Sequence, residues 1–195
     1  MTGISPLQSI HKKGLFGNHH HKNESDLLNI SEGKNLSVVQ IFHYKSSKIN
    51  LSNIRIENLE LPSQNSTVVP NKDTRILWNS PNAWLIISEK KDFINIIKEK
   101  CNNENFSVTD ISHSRAVITI KGFNAKEVLK KGCPINLNEF KKNNCAGTVF
   151  HGINIMIDYI DDKSETFNII TLRSFGESLY HHITDASLEF GYLGT

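Results

Sequence analysis

The hydrophobic residues after Leu36 follow two spacings, an alternation with polar residues that is typical of strands and a three-to-four spacing that is typical of helices. The alternating segments are short and are followed by polar or Gly- and Pro-containing stretches, as turns between strands require. The predicted strands cover residues 38–44, 75–78, 84–88, 116–121, 153–159 and 167–172.

Helical spacing marks three segments, and the predicted helices cover residues 92–101, 124–131 and 174–190. The last two begin with capping boxes, in which an Asn or a Ser is followed three residues later by Glu. The segment 48–58 fits a helix and a strand almost equally well, because its apolar residues recur at both spacings.

The order of these elements repeats along the chain. Strand, helix, two-stranded hairpin and helix occur once in Leu36–Cys101 and again in Ser107–Phe190. An internal duplication of a mixed unit predicts an α+β fold with two pseudo-repeated halves, residues 36–106 and 107–195, that share one core. We therefore treat residues 36–195 as a single domain.

Residues 1–35 are predicted to form an extended N-terminal arm. Glycines and polar residues dominate this segment, and its only dense apolar group is Leu27, Leu28 and Ile30. An arm with so few apolar residues is expected to become ordered only on a partner, since ordering each backbone residue costs about 1–2 kcal/mol. The arm also holds the tract 19–21, three consecutive histidines that favour either a metal-binding tract or a solvated loop.

Composition narrows the class of protein. The 195 residues carry 22 Lys and Arg against 20 Asp and Glu, a net charge of +2 that is too small to attract nucleic acid or an anionic membrane. Only 4 of the 22 basic residues are Arg, the residue suited to bidentate recognition of phosphates and bases. The chain has no apolar run of membrane-helix length, no expected signal peptide and three dispersed cysteines, so we predict a cytoplasmic protein.

The densest polar cluster of the predicted domain is 110–115. His113 beside Asp110 has the residue types of a general base, but on an extended strand Asp110 and Ser112 point away from His113. The cluster therefore fits either a structural strand entry or a contact with a partner better than a catalytic triad.

Arg173 lies where the last predicted strand meets the last helix. Its planar guanidinium suits a carboxylate of a ligand or partner, or alternatively an internal ion pair with Glu165 or Asp185. On the same helix, His181 lies four residues from both Glu177 and Asp185, which is typical of surface pairs that stabilise helices. Phosphate loops, dinucleotide fingerprints and zinc motifs are absent from the sequence, so it offers no self-sufficient active site.

Several segments resemble the gamma subunit family of heterotetrameric sarcosine oxidase. The strongest resemblance lies in residues 108–129, 131–137 and 172–180, with Asp185-Ala186 after them. Residues 80–86 and the Ser5-Pro6-Leu7 start of the arm support the resemblance, which covers nearly the whole chain and is weak between Lys45 and Arg75.

The resemblance implies a fold similar to the folate-binding domain of aminomethyltransferases. It implies an oxidoreductase complex of sarcosine catabolism and one-carbon metabolism, which oxidises sarcosine to glycine and hydrogen peroxide and passes the one-carbon unit to tetrahydrofolate. FAD, FMN, NAD, zinc and the tetrahydrofolate site are implied for partner subunits, and none for this chain. The acidic pterin-binding residue of aminomethyltransferases has its counterpart near Asp158, but the accompanying Gly pair is absent.

We therefore expect an accessory, non-catalytic gamma subunit that supports assembly of the heterotetramer. Its main contact would be the alpha subunit, with beta and delta as further partners, and the candidate partner-interface residues are His113, Arg115, Arg173 and Phe175. No residue is assigned to catalysis, a cofactor or a metal. The alternatives are a stand-alone folate-binding or aminomethyltransferase-like protein, and the equivalent subunit of an oxidase or dehydrogenase that acts on another N-methyl amino acid.

Overall fold

A computed structural model describes residues 5–195, which form two compact units. The first unit joins the N-terminal residues through Lys34 to Ser114–Thr195, and the second is the continuous segment Asn35–His113. Each unit has its own sheet and its own hydrophobic core, where the sequence analysis expected one shared core.

The described residues contain fourteen strands and three α-helices. The strands are β1 (Gly14–Phe16), β2 (Leu28–Glu32), β3 (Ser37–His43), β4 (Arg55–Ile56), β5 (Leu59–Glu60), β6 (Val68–Pro70), β7 (Thr74–Ser80), β8 (Ala83–Ser88), β9 (Phe106–Asp110), β10 (Arg115–Lys121), β11 (Cys145–Phe150), β12 (Ile153–Asp161), β13 (Thr166–Leu172) and β14 (Tyr192–Gly194). The helices are α1 (Phe93–Lys100), α2 (Ala125–Lys130) and α3 (Gly176–Ser187).

The first unit is built on a seven-stranded sheet in the order β1-β14-β2-β10-β13-β12-β11. All neighbours are antiparallel except β14 and β2, which are parallel. The central pairing places Ile118 of β10 opposite Ile169 of β13, and both side chains are fully buried. Helices α2 and α3 contribute Leu129, Leu179 and Ile183 to the same core.

The segment predicted to be an arm contributes two strands to this sheet. Leu28 and Ile30 of β2 are at most 1% exposed and belong to the core of the first unit, because β2 lies between β10 and β14. Burial of these residues offsets the ordering cost that the polar composition suggested. Residues 1–4 of the predicted arm lie outside the described residues.

The N-terminal and C-terminal segments of this unit pack closely because of small residues. A Cβ added to Gly194 would lie 2.2 Å from the carbonyl oxygen of Lys12, and one added to Gly191 would lie 2.5 Å from that of Asn18. Glu32 is also buried, and its carboxylate accepts hydrogen bonds from the Ser5 hydroxyl at 2.5 Å and from the Leu7 amide at 3.3 Å. These contacts attach residues 5–18 to the sheet.

The second unit has a five-stranded antiparallel sheet in the order β6-β7-β8-β3-β9 and a separate hairpin of β4 and β5. Its core combines Ile41, Ile86 and Phe106 from the sheet with Phe93 and Ile97 from α1. The ambiguous segment 48–58 forms a one-turn 3-10 helix at Leu51–Asn53 followed by β4, so neither of its two predicted regular structures extends through it.

The helices occur where the spacing predicts them, but neither predicted capping box forms. The side chain of Asn124 makes no capping hydrogen bond to α2, and Ser174 lies in a 3-10 turn, Arg173–Phe175, that precedes α3. The turn places Phe175 at the N-cap position, so Ser174 lies outside the geometry in which its hydroxyl could cap the helix. Within residues 5–195, every helix is too short or too polar to cross a lipid bilayer.

Candidate partner interface

The candidate site of the first unit begins where two paired strands end. Arg115 is the first residue of β10 and lies opposite Leu172, the last residue of β13. Because antiparallel partners have Cβ atoms about 4.5–5.5 Å apart, the Arg115 and Leu172 side chains leave the sheet side by side. The pairing therefore places a cation next to an apolar side chain at this end of the sheet.

The connection to α3 adds Phe175 to the same end. The chain leaves Leu172 through the 3-10 turn Arg173–Phe175, which contacts β10, and enters α3 at Gly176. Gly176 approaches the sheet so closely that an added Cβ would lie 2.9 Å from the Cβ of Ala116. A helix start held this tightly presents the preceding turn from a rigid base.

Two large apolar side chains are exposed at this position. Leu172 is 44% exposed and Phe175 is 46% exposed, although most apolar residues nearby are fully buried. Large apolar side chains exposed at one end of a sheet are typical of protein–protein contacts, and an aromatic residue on a rigid base is the usual form of an interface anchor. We define Arg115, Leu172, Arg173 and Phe175 as the α3 entry surface.

Leu172 was not among the predicted interface residues. Sequence analysis placed it at the end of a strand of alternating residues, where it follows the buried Thr171. Its place at the end of the predicted strand 167–172 was the available signal. An apolar residue at a strand terminus next to a polar turn has no further strand residue beside it to cover its side chain.

Arg115 is half-buried, and among residues 5–195 its guanidinium donates hydrogen bonds to Ser114. Its Nη1 lies 3.1 Å from the hydroxyl oxygen of Ser114 and 3.3 Å from the carbonyl oxygen of the same residue. Partial burial lowers the pKa of Arg115 from its ordinary value, because the charged form loses hydration. A partly dehydrated guanidinium without a carboxylate in these bonds is well suited to a partner's carboxylate.

Arg173 is half-buried within the 3-10 turn, one residue beyond the end of β13. The alternative ion pair with Glu165 is wrong, because Glu165 precedes β13 and the seven-residue strand separates the two by about 23 Å. Glu165 instead accepts a hydrogen bond from the Lys126 amide at 3.5 Å. Burial is the main cause that raises the pKa of the Glu165 carboxyl above its ordinary value.

The second unit contains the fourth candidate, His113. It is exposed in the one-turn 3-10 helix Ser112–Ser114. The neighbouring polar residues have structural roles, since Asp110 accepts hydrogen bonds from the Ser112 amide at 2.9 Å and hydroxyl at 2.6 Å. The Ser112 hydroxyl oxygen accepts a hydrogen bond from the Val38 amide at 2.8 Å, which ties β3 to this turn. The sequence analysis expected an extended strand through the cluster 110–115, whereas the strand ends at Asp110 and a 3-10 turn follows at Ser112–Ser114.

The histidine of α3 that faces Glu177 and the tract 19–21 have surface geometry. His181 Nε2 lies 3.9 Å from Glu177 Oε1, and both side chains are more than 60% exposed, as expected of a surface pair on a helix. In the tract 19–21, the His19 ring packs on the His20 ring at 4.5 Å between centroids, and His19 Nδ1 lies 2.8 Å from the carbonyl oxygen of Gly17. Across residues 5–195, no three His, Cys, Asp or Glu side chains converge as metal ligands.

Asp158, which aligns with the pterin-binding acid in the resemblance, is 0% exposed in the middle of β12. It lies opposite Asn168 on one side and Cys145 on the other, within the sheet. A carboxylate that is fully buried does not fit the role of a ligand-binding group on the wall of an open cavity.

The first unit has a cavity of about 680 Å³ at the other end of β10. Its wall includes the charged residues Glu24, Lys121, Asp162, Lys163 and Glu165, and Phe123 lies at its rim with 83% of its surface exposed. Small-molecule cofactors are usually bound in mainly apolar pockets with few polar groups. A wall with five charged side chains departs from that pattern.

The buried cysteines should be unreactive in the folded chain. Burial raises the pKa of the Cys101 thiol to about 11 and that of the Cys133 thiol to about 12, so little thiolate is present at pH 8. We expect both to react with dithionitrobenzoate at least about a hundredfold more slowly than in the chain unfolded by urea. Equal rates in the folded and unfolded chain, followed by mass spectrometry of each peptide, would contradict this expectation.

Two curated relatives of this chain are both sarcosine oxidase gamma subunits. Sarcosine oxidase subunit gamma of Corynebacterium sp. strain U-96 is 29% identical over 120 residues, which are 60% of this chain and 58% of that subunit. Sarcosine oxidase subunit gamma of Corynebacterium sp. strain P-1 is 29% identical over 134 residues, which are 67% of this chain and 65% of that subunit. The matches thus span less than two thirds of the length of these curated relatives.

Solved structures with a similar fold confirm the predicted α+β architecture. A chain of the heterotetrameric sarcosine oxidase from Corynebacterium sp. U-96 in complex with pyrrole 2-carboxylate matches with a TM-score of 0.77 and 23% identity, over 86% of this chain and 87% of that chain. Glycine cleavage system aminomethyltransferase T from Bartonella henselae matches with a TM-score of 0.64 and 10% identity, over 88% of this chain and 49% of that chain. The model of the sarcosine oxidase gamma subunit family matches residues 51–189, which are more than half of the sequence. The chain therefore belongs to the sarcosine oxidase gamma subunit family.

Proposed function

We propose that this chain is an accessory, non-catalytic subunit of a heterotetrameric sarcosine oxidase and that it supports assembly of the complex. The match of residues 51–189 to the gamma subunit family carries this proposal. The complex would oxidise sarcosine to glycine with formation of hydrogen peroxide and transfer of the one-carbon unit to tetrahydrofolate. A cytoplasmic location of the complex is part of the same proposal.

The α3 entry surface is proposed as the contact with the alpha subunit. Leu172 and Phe175 would be buried by an apolar patch of the partner, while the guanidinium groups of Arg115 and Arg173 would receive its carboxylates. His113 is proposed as a contact of the second unit, on the basis of its exposure. The beta and delta subunits are proposed as further members of the same complex.

The cofactors of the complex are proposed to belong to the partner subunits. Each of these cofactors needs a site of a recognisable kind, and the sequence contains no dinucleotide fingerprint, phosphate loop or zinc motif. The buried Asp158 and the highly charged wall of the 680 Å³ cavity support the same assignment for tetrahydrofolate. The choice of N-methyl amino acid would then depend on a partner's pocket.

The purified chain is expected to be colourless and to oxidise no N-methyl amino acid. It lacks a dinucleotide fingerprint, and Asp110 and Ser112 make hydrogen bonds that hold β3 and the following turn. Absorbance between roughly 350 and 500 nm, where bound flavins absorb, measures the colour of the chain. Peroxide production with sarcosine measures its oxidase activity. A flavin band that survives extensive washing would contradict the proposal.

Co-expression with the three partner subunits tests the proposal directly. We expect the chain to co-purify with them in equal amounts and the oxidase activity to depend on its presence for assembly. The stand-alone alternative predicts a different result, namely tetrahydrofolate binding by the isolated chain in fluorescence titration. Micromolar binding without co-purification would favour that alternative.

A further inference from the structure

The outer strand β11 differs from the other strands that end the two sheets. The three other edge strands have features that discourage pairing with another chain: β1 is three residues long and follows Lys12 and Lys13, β6 is three residues long and ends at Pro70, and β9 ends at the charged Asp110. Strand β11 has six residues and contains neither a charge nor a proline. It is therefore the edge, among those of the described residues, that is least protected against strand addition.

The hydrogen-bond pattern shows which backbone groups of β11 point outward. The hairpin to β12 turns through His151 and Gly152, with φ of 45° and 83°, so the flanking residues Phe150 and Ile153 form a hydrogen-bonded pair. At the other end, the Tyr159 amide donates to the carbonyl oxygen of Asn144 at 2.9 Å. Even-numbered residues of β11 thus bond to β12.

The alternate residues Gly147 and Val149 direct their N–H and C=O groups away from β12. Since β11 is the last strand of its sheet, no strand of the described residues lies on that side. Gly147 is exposed and Val149 is half-buried, so neither residue is fully covered. The His151 amide already donates to the carbonyl oxygen of Gly132 at 3.1 Å, so an added strand would end before His151. A Cβ added at Gly147 would meet only the terminal methyl of Met156, at 3.9 Å, so packing does not require glycine at this position.

The charges around β11 indicate the kind of segment that would pair with it. Lys141 is exposed and makes no ion pair with another described residue, while Lys142 pairs with Asp161 at 3.2 Å. The exposed His151 lies at the opposite end of the strand. A neutral strand with lysines at one end is complementary to an extended segment that is uncharged along most of its length and acidic where it meets those lysines.

A second copy of this chain fits β11 less well. If two copies paired antiparallel about Gly147, Lys141 of one would face Ile153 of the other. That pairing offers Lys141 no carboxylate, whereas a partner segment with an acidic residue at this position would offer one.

We propose that β11 receives an additional strand from a partner subunit, an extended segment that bonds to the backbone of Gly147 and Val149 and carries carboxylates near Lys141. This inference rests on the proposed function, because it presumes that the chain assembles with partners. It adds a second contact, made through main-chain groups, to the α3 entry surface.

Val149→Pro tests the inference, because proline removes an N–H that bonds to nothing within the sheet. We expect Val149→Pro to weaken assembly with the partner subunits about tenfold or more, through loss of one hydrogen bond and a steric clash with the added strand. Val149→Ala retains the N–H and is the matched control, which should assemble like the unchanged chain. The melting temperature of each isolated variant checks that it is folded.

Hydrogen exchange provides a second measurement that does not depend on a substitution. The peptide 146–150 should gain protection in the complex relative to the isolated chain. A complex that forms normally with Val149→Pro, and with exchange of this peptide unchanged, would overturn the inference while leaving the proposed function intact. Protection that appears in a dimer of the isolated chain would identify a second copy as the occupant and would also overturn it. Failure of the unchanged chain to assemble with any partner would reject the proposed function and this inference with it.

Discussion

Phe175→Asp should weaken binding to the partner subunits by about 2 kcal/mol or more, a factor of about 30 in the dissociation constant. Phe175 is half exposed on a rigid turn three residues after Leu172, and loss of the ring removes the largest apolar side chain of the α3 entry surface. Binding of the purified chain to immobilised partner subunits, measured as a titration, gives the change directly.

The same substitution should leave the isolated chain as stable as before, or slightly more stable. Phe175 occupies the N-cap position of α3 and makes no capping hydrogen bond, whereas an Asp there can accept one from the helix and interacts favourably with its dipole. Opposite changes in binding and melting temperature would therefore separate an interface role from a structural one. Leu15→Asp is the matched control, since Leu15 is 42% exposed on β1. Equal loss of binding in both variants would contradict the assignment of this surface.

Gly176→Ala should destabilise the isolated chain by about 1–3 kcal/mol, although alanine is the better helix former. The added methyl would lie 2.9 Å from the Cβ of Ala116, which belongs to β10 and cannot rotate away. Urea unfolding of the first unit, followed by circular dichroism, measures the change in the free energy of unfolding.

A double-mutant cycle identifies this clash as the cause. Ala116→Gly removes the opposing methyl and costs stability on its own, since Ala116 is 1% exposed. In the double variant, however, the two changes should compensate, with a coupling free energy of about 1 kcal/mol or more. Strict additivity would show that α3 is not held against β10 at this point, and the rigid presentation of Phe175 would lose its basis.

The elements with strong local patterns were predictable from the sequence. Two sets of side chains alternate along residues 116–121, which form nearly all of β10. The apolar stripe of residues 174–190 predicted a helix, and α3 lies within this range. These patterns are local, because one strand or one helix face determines them. The duplicated order of elements also predicted the α+β fold that the similar structures confirm.

The elements that depend on distant partners were not predictable in the same way. Strand β2 was interpreted as part of an arm, because Leu28 and Ile30 are only two apolar positions among polar residues until β10 and β14 are placed beside them. Strand β14 has three residues and pairs with β1 and β2, so no local pattern marks it. The segments of β1, β2 and β14 form strands only when they pair with one another.

The sequence predicted three residues of the α3 entry surface but not which residues lie next to one another in it. Arg115, Arg173 and Phe175 were selected from the sequence, and the register of β10 and β13 brings Arg115 next to Leu172, which the sequence did not select. The partner of a strand-terminal residue depends on sheet register, which requires the whole sheet. The site assignment itself stays a prediction until the assembly experiments are done.

The insertion of the second unit into the first has a consequence for synthesis on the ribosome. Asn35–His113 is continuous and can fold as soon as it emerges, whereas Gly14 pairs with Gly194, 180 residues further along the chain. At 5–20 residues per second, the residues between His113 and Gly194 take about 4–16 s to synthesise. During that time β1 has no strand to pair with and β2 lacks its neighbour β14, so an aggregation-prone edge is exposed in every nascent chain.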